Sequence, residues 1–171
     1  MFRKGDYVFY ASGGVCHVED LRYAPIEGMP ADRLYYVLRS LHDANGVIYL
    51  PTDCTTVFMR RLLTRGEAED LIRSAPAIQP LEAEDAKALR AKYTETMKKY
   101  DPTEWVRVIK TVLQRKCRLA ETSRSQRLSE TERSFFDDAK RYLYTELSFA
   151  LDLPADQVEK RLFGDLTEVN V

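Results

Sequence analysis

Residues 34–50 read LYYVLRSLHDANGVIYL, and this stretch decides the fold of the N-terminal part of the chain. Aromatic and β-branched side chains dominate residues 34–41 and again residues 47–50, a composition that favours β-strands. The intervening residues 43–46 (DANG) are of the kind found in hairpin turns. The sequence therefore predicts two strands that pair in an antiparallel manner through a short loop.

Strand-like runs continue on both sides of this hairpin. Residues 7–10 (YVFY) and 15–23 predict two strands before it, separated by a turn at 12–14, and residues 57–59 (VFM) predict a fifth strand after it. Five short strands within fewer than 60 residues are typical of a small antiparallel barrel. We therefore predict an N-terminal five-stranded β-barrel of the SH3 or Tudor type.

Beyond this region the apolar residues recur with helical spacing. Three capping patterns predict helix starts: Thr64 with Glu67, Asp101 followed by Pro102, and Ser129 with Glu132. Further helices are predicted over 82–100 and between Pro154 and Gly164. The predicted fold class is α+β by domain, with the barrel followed by an all-α helical domain.

Two prolines, Pro76 and Pro80, suggest a boundary between domains. We predict a Tudor-like domain at 1–62, a short helix and linker at 63–80, and a helical domain at 81–171.

Basic residues are concentrated in one part of the chain, although its net charge is only −1. Residues 87–127, called the basic segment below, contain twelve basic and four acidic residues, a net charge of +8. Such local asymmetry favours a polyanionic partner and predicts contact with nucleic-acid phosphates. The alternative, that these cations only keep the outer faces of helices soluble, stays open.

No pattern in the sequence predicts catalysis. Cys16 and His17 are neighbours on a predicted strand, so their side chains face opposite sides and cannot hold one metal ion together. Phosphate-binding and nucleophile motifs are absent from the sequence. We expect no enzymatic activity, no metal, no cofactor and no small-molecule substrate.

Three widely spaced cysteines and the lack of any long apolar run predict a cytoplasmic protein without a membrane segment. Tyr35 and Tyr36 are adjacent, so at least one of them is expected to face outward. An exposed aromatic face of that kind could bind a protein or form a cage for a modified side chain.

Several short motifs resemble the CarD/CdnL family of bacterial RNA polymerase-binding regulators, whose N-terminal module is shared with transcription-repair coupling factors. In the barrel they are residues 2–8 (FRKGDYV), Tyr10, Gly14, residues 26–28 (IEG), residues 35–38 (YYVL) and residues 50–53 (LPTD). In the helical part they are Lys92-Tyr93, residues 97–99 (MKK) and residues 128–133 (LSETER). The resemblance extends from about residue 2 to residue 150.

This resemblance implies that the Tudor-like module docks on the β subunit of RNA polymerase, partly through pairing of an edge strand. The arginines that contact polymerase in the family correspond to Ala24 and Tyr49 here. Nearby Arg22, Tyr23 and Arg39 are expected to substitute for them.

The resemblance also implies that the helical domain contacts promoter DNA at the upstream edge of the melted bubble and stabilises the open complex. The family's wedge tryptophan corresponds to Leu89, which lies on an apolar stripe and is equally suited to the core. Lys87, Arg90, Lys92 and Arg133 are the expected phosphate contacts. Trp105, the only tryptophan, is predicted to be core. The alternative is an adaptor whose helical domain binds a partner protein rather than DNA.

Overall fold

The computed structural model describes residues 1–11, 13–24, 26–43, 46–122 and 127–164. The chain divides into two compact units, Met1–Leu62 and Leu63–Val171. The first contains a β-sheet and the second contains helices, which confirms the predicted α+β fold class. Among the described residues, none of the helices is both long enough and apolar enough to span a membrane.

The β module is one antiparallel sheet with strand order β4-β3-β2-β1-β5. Its strands are β1 (Tyr7–Tyr10), β2 (Gly14–Tyr23), β3 (Leu34–Ser40), β4 (Val47–Pro51) and β5 (Met59–Arg61). The predicted hairpin is present as paired β3 and β4, although Ala44 and Asn45 of its loop lie outside the described residues. The same holds for Ser12 in the predicted turn between β1 and β2.

The core of the β module lies on one face of the sheet. Because side chains alternate along a strand, Tyr36 and Leu38 of β3 share a face with Val18 of β2 and Leu50 of β4. These side chains are buried together with Val8 of β1. Alternation along the paired strands therefore places these side chains together on the face that closes against the interior.

Five α-helices occur among the described residues of the helical unit: α1 (Arg65–Ser74), α2 (Ala86–Met97), α3 (Pro102–Thr122), α4 (Glu130–Leu151) and α5 (Ala155–Phe163). Both predicted capping boxes are present, at Thr64 with Glu67 and at Ser129 with Glu132. α2 begins later than predicted because the Asp85 carboxylate caps it, accepting a hydrogen bond from the Ala88 N–H at 2.7 Å.

Apolar stripes of α3 and α4 form the centre of the helical unit. Trp105 is completely buried, as predicted, and its ring centroid lies 5.5 Å from that of Tyr142. Ile109 of α3 and Leu143 and Leu147 of α4 are buried with it. The sole tryptophan is therefore part of the packing and is not available at the surface.

Residues 63–80, which the sequence suggests are a short helix and linker, belong to the helical unit. A short 3₁₀ turn, Ala75–Ala77, follows α1. The Lys110 ammonium of α3 donates hydrogen bonds to the carbonyls of Ala75, Pro76 and Ile78 at 2.8, 3.0 and 2.8 Å. Burial lowers the pKa of Lys110. Local composition could not reveal this docking, because its donor lies about 30 residues further along the chain.

Candidate functional site

One candidate surface of the β module is the face of β2, β3 and β4 that points away from the core. Three rows of paired residues run across it: His17–Arg39–Val47, Asp20–Val37–Tyr49 and Arg22–Tyr35–Pro51. A register shift between Val18 and Asp20 places Glu19 as an extra residue in β2. Arg22, Arg39 and Tyr49 line one shallow depression of about 270 Å³ on this surface, called the β2–β4 face below.

Each arginine of the β2–β4 face is paired with a carboxylate of the same face. Arg22 Nε lies 2.6 Å from Asp20, and Arg39 contacts Glu19. Hydrogen bonds from Arg39 and Arg22 lower the pKa of Glu19 and Asp20, respectively. The two guanidinium groups are therefore held in defined positions and their charge is locally balanced.

Several cations of the basic segment are engaged inside the helical unit, whereas others, Lys98 among them, are exposed. Arg115 Nε lies 2.5 Å from Glu132, and Lys116 Nζ lies 4.5 Å from the centroid of the Phe136 ring. Lys99 and Arg107 both lie within 4 Å of the Glu104 carboxylate. The Lys92 ammonium donates to the backbone carbonyl of Glu82. These charges stabilise contacts between helices and turns.

Lys87, Arg90 and Arg127 are exposed as well. Within the described part of the chain, their side chains make no ion pair and no hydrogen bond. All three line a cleft of about 540 Å³ between α2, the end of α3 and the start of α4. This cleft, called the α2–α4 cleft below, is also lined by Ala86, Leu89, Tyr93, Arg115, Ser129, Thr131 and Glu132. Arg124 of the basic segment lies outside the described residues.

Leu89 and Tyr93 form the base of the α2–α4 cleft. Leu89 is only 7% exposed and Tyr93 is fully buried, with its ring centroid 5.4 Å from that of Phe135. The Tyr93 hydroxyl has no hydrogen-bond partner among the described residues. Burial, reinforced by the Glu132 carboxylate, raises the pKa of Tyr93 to about 12. The cleft therefore combines an apolar base with an unpaired cationic rim.

Both parts of the chain match known families. The family described as CarD-like/TRCF RID domain matches residues 2–63, and the family described as CarD, C-terminal domain matches residues 79–163. The chain belongs to the CarD/CdnL family. It is thus an RNA polymerase-interacting transcription regulator, and the resemblance found in its motifs is confirmed. No curated protein matches the chain with significance.

The residues expected to contact polymerase in this CarD family member are only partly brought together. Arg22, Arg39 and Tyr49 share the β2–β4 face, whereas Tyr23 and Ala24 do not line its depression. Tyr23 ends β2 and is 65% exposed. Ala24 follows with φ +40°, a conformation that L-residues rarely adopt. Their role in binding polymerase stays a prediction.

The expectation that Tyr35 or Tyr36 faces solvent is wrong, since they are 5% and 3% exposed. Tyr36 points into the core, and its hydroxyl accepts a hydrogen bond from the Phe2 N–H at 3.1 Å. Tyr35 points to the opposite face but lies between Arg22 of β2 and Pro51 of β4 in the ladder. The neighbouring strands β2 and β4 therefore bury the Tyr35 side chain, although alternation along β3 alone predicts that it faces solvent.

The residues expected to contact DNA are also divided. Lys87, Leu89 and Arg90 meet in the α2–α4 cleft, whereas Lys92 and Arg133 do not line it. Arg133 is exposed on α4. Sequence reasoning missed Arg127 and Thr131 as members of this site. Arg127 contributes to the charge count, but only the packing of α2 beside α4 shows that it joins Lys87. No group of three or more His, Cys, Asp or Glu side chains suited to a metal ion occurs among the described residues.

Proposed function

We propose that this CarD family member docks on the β subunit of RNA polymerase through its β module and contacts promoter DNA near the upstream edge of the bubble through its helical unit. By holding both partners it modulates the stability of the open complex. The proposal assigns the protein no catalytic step, no cofactor and no small-molecule substrate. It places the chain in the cytoplasm, with polymerase on the nucleoid.

The β2–β4 face supports the polymerase contact. β4 stands at one end of the sheet order, so one side of its backbone is available to pair with a strand of a partner. Tyr49 lies on that edge strand, and Arg39 lies on its neighbour β3. Arginine and tyrosine beside an open edge are residue types that dominate the energetics of protein interfaces.

The DNA contact rests on one observation: Lys87, Arg90 and Arg127 are unpaired and line the same cleft, while other cations of the basic segment are engaged internally. Cations without partners bind phosphates at little cost, because no internal ion pair must first be broken. Binding of this kind releases counterions and reads little sequence.

A second function, an adaptor whose helical unit binds a partner protein, is favoured by Leu89. Because this side chain is only 7% exposed, it cannot wedge between base pairs without leaving the cleft base. In that case the polymerase contact is kept and the DNA contact is absent.

The decisive experiment mixes the full chain with the purified β-lobe fragment of RNA polymerase and measures their binding by interferometry. Binding supports the docking proposal, and its absence would overturn it. The lifetime of promoter open complexes, with and without the chain, then separates the two functions. A changed lifetime supports the DNA contact, and an unchanged lifetime with intact polymerase binding supports the adaptor.

A further inference from the structure

The α2–α4 cleft has a chemical character that goes beyond a surface for phosphates. Its volume of about 540 Å³ lies in the range of sites that enclose small ligands. Lys87 and Arg90 are i, i+3 neighbours on α2, and Ala86 neighbours both Leu89 and Arg90 on the same helix. The apolar side chains of Ala86 and Leu89 are therefore bordered by cations of α2.

The side of the cleft opposite α2 adds groups that favour an anion. Arg127 stands just before α4, and Ser129 and Thr131 belong to the start of that helix. The positive end of the α4 dipole therefore points toward the cleft. Glu132, the only carboxylate among the described residues of its lining, is neutralised by Arg115 at 2.5 Å.

We propose that the α2–α4 cleft is a nucleotide-binding site. The planar base lies over Ala86 and Leu89 and stacks against the guanidinium planes of the rim, as bases do on arginine. The phosphates bind to Lys87, Arg90 and Arg127. The nucleotide is either free or one unit of an unpaired DNA strand, and the second source deepens the proposed function because it rests on contact with melted promoter DNA.

Two other occupants, a lone phosphate and an acidic peptide, fit the α2–α4 cleft less well. A lone phosphate would leave most of the cleft and its apolar base unused. An acidic peptide would need a much larger contact area, because stable protein interfaces bury about 1,200 Å² or more. The apolar part here consists of Ala86, Leu89, the Tyr93 ring and side-chain stems of the rim.

The test uses the full chain and two probes: ATP with a fluorophore on its ribose, and a five-nucleotide single strand of thymidines with the same fluorophore. The competitors are unlabelled ATP, inorganic triphosphate and a glutamate pentapeptide. We expect at least one probe to bind. Where the ATP probe binds, unlabelled ATP should compete about tenfold better than triphosphate or the peptide, because only ATP carries a base. Binding of ATP identifies a free nucleotide, and binding of the strand alone identifies DNA.

Ala86→Phe fills the cleft while preserving every charge, and it should weaken the probe about tenfold or more. Ala155→Phe is the matched control, since Ala155 is also an exposed alanine at the first position of a helix. Arg90→Met, which keeps the stem but removes the charge, tests the rim if Ala86→Phe fails to fold. Any of three results would overturn the proposal: neither probe binds, triphosphate or the peptide competes with the ATP probe as well as ATP does, or the two phenylalanine variants have equal effects.

Binding of a duplex promoter fragment is measured in the same buffer. If the chain binds the duplex but neither probe, the proposed DNA contact stands and the nucleotide site is overturned. A chain that binds ATP but no promoter DNA retains the nucleotide site and loses the proposed DNA contact.

Discussion

The two candidate surfaces treat their charges in opposite ways. On the β2–β4 face, Arg22 and Arg39 are each paired with a carboxylate of the same face. Around the α2–α4 cleft, Lys87, Arg90 and Arg127 have no such partner among the described residues. Paired arginines are ordered and locally neutral, which suits short-range recognition of a protein surface. Unpaired cations attract a polyanion from a distance, and their effect weakens with salt.

The largest expected effect comes from reversing the unpaired charges. The double variant Lys87→Glu/Arg90→Glu should weaken promoter binding on the order of 100-fold at low salt and reduce the salt slope by about 2, because two phosphate contacts are lost. Affinity is measured by fluorescence anisotropy between about 50 and 200 mM salt. Over this range the affinity falls more steeply when more phosphate contacts are made.

Arg73→Glu/Lys160→Glu is the matched control, with the same charge change on exposed residues of α1 and α5. It should leave the salt slope nearly unchanged. Equal losses in the two double variants would mean that only overall charge matters, and the contrast between the cleft and the rest of the surface would disappear.

The base of the cleft gives the next largest effect. Leu89→Ala removes a buried side chain from α2 and should lower the free energy of unfolding by about 2 kcal/mol, with a fall in melting temperature of roughly 10 °C. Leu89→Met, which conserves volume, should cost less than about 1.5 kcal/mol. Thermal unfolding followed by circular dichroism measures both. If Leu89→Ala instead leaves the free energy of unfolding unchanged and shortens the lifetime of the open complex, Leu89 acts on DNA and not in the core.

How far the sequence predicts these surfaces depends on the distance between the residues that form them. The strands of the β module could be predicted, because the aromatic and β-branched side chains of β3, such as Tyr36 and Val37, are visible within one strand. The α2–α4 cleft could not, because Lys87 and Arg127 are about 40 residues apart and meet only when α2 packs beside α4. The net charge of the basic segment also does not reveal that Arg115 is paired. Its partner Glu132 lies on another helix, so Arg115 is not a free cation of the surface.

The β2–β4 face should respond to a single substitution with a moderate effect. Arg39→Ala is expected to weaken binding to the polymerase β-lobe fragment about tenfold, since arginine is a frequent hot-spot residue. It should leave the salt slope of DNA binding unchanged. Interferometry with the full chain measures the first quantity.

Arg33→Ala is the matched control for Arg39→Ala. Arg33 also forms an ion pair, an exposed one at 2.9 Å from Asp53, but it does not line the depression of the β2–β4 face. Binding to polymerase should be unaffected by its loss. If both variants weaken polymerase binding equally, the ion pairs act on the β module as a whole, and the β2–β4 face is not the specific polymerase contact.

The smallest expected effect concerns the Tyr93 hydroxyl beneath the cleft. Because this buried hydroxyl has no partner among the described residues, Tyr93→Phe should change the free energy of unfolding at neutral pH by less than about 1 kcal/mol. Tyr144→Phe is the matched comparison. It removes a hydroxyl that donates to Glu159 at 3.2 Å, and it should destabilise the unit by about 1 kcal/mol.

The same variant has a pH signature whose sign follows from the raised pKa. Folding raises the pKa of Tyr93 from 10.0 to about 12, so the folded state favours the neutral hydroxyl. That stability is fully present below pH 10, the pKa of the unfolded tyrosine, and is lost as the pH rises toward the folded value of about 12. Tyr93→Phe should therefore flatten the alkaline decline in urea unfolding. A decline as steep as that of the unmodified chain would show that folding does not raise the pKa of Tyr93. A neutral-pH loss larger than that of Tyr144→Phe would show that the Tyr93 hydroxyl has a hydrogen-bond partner.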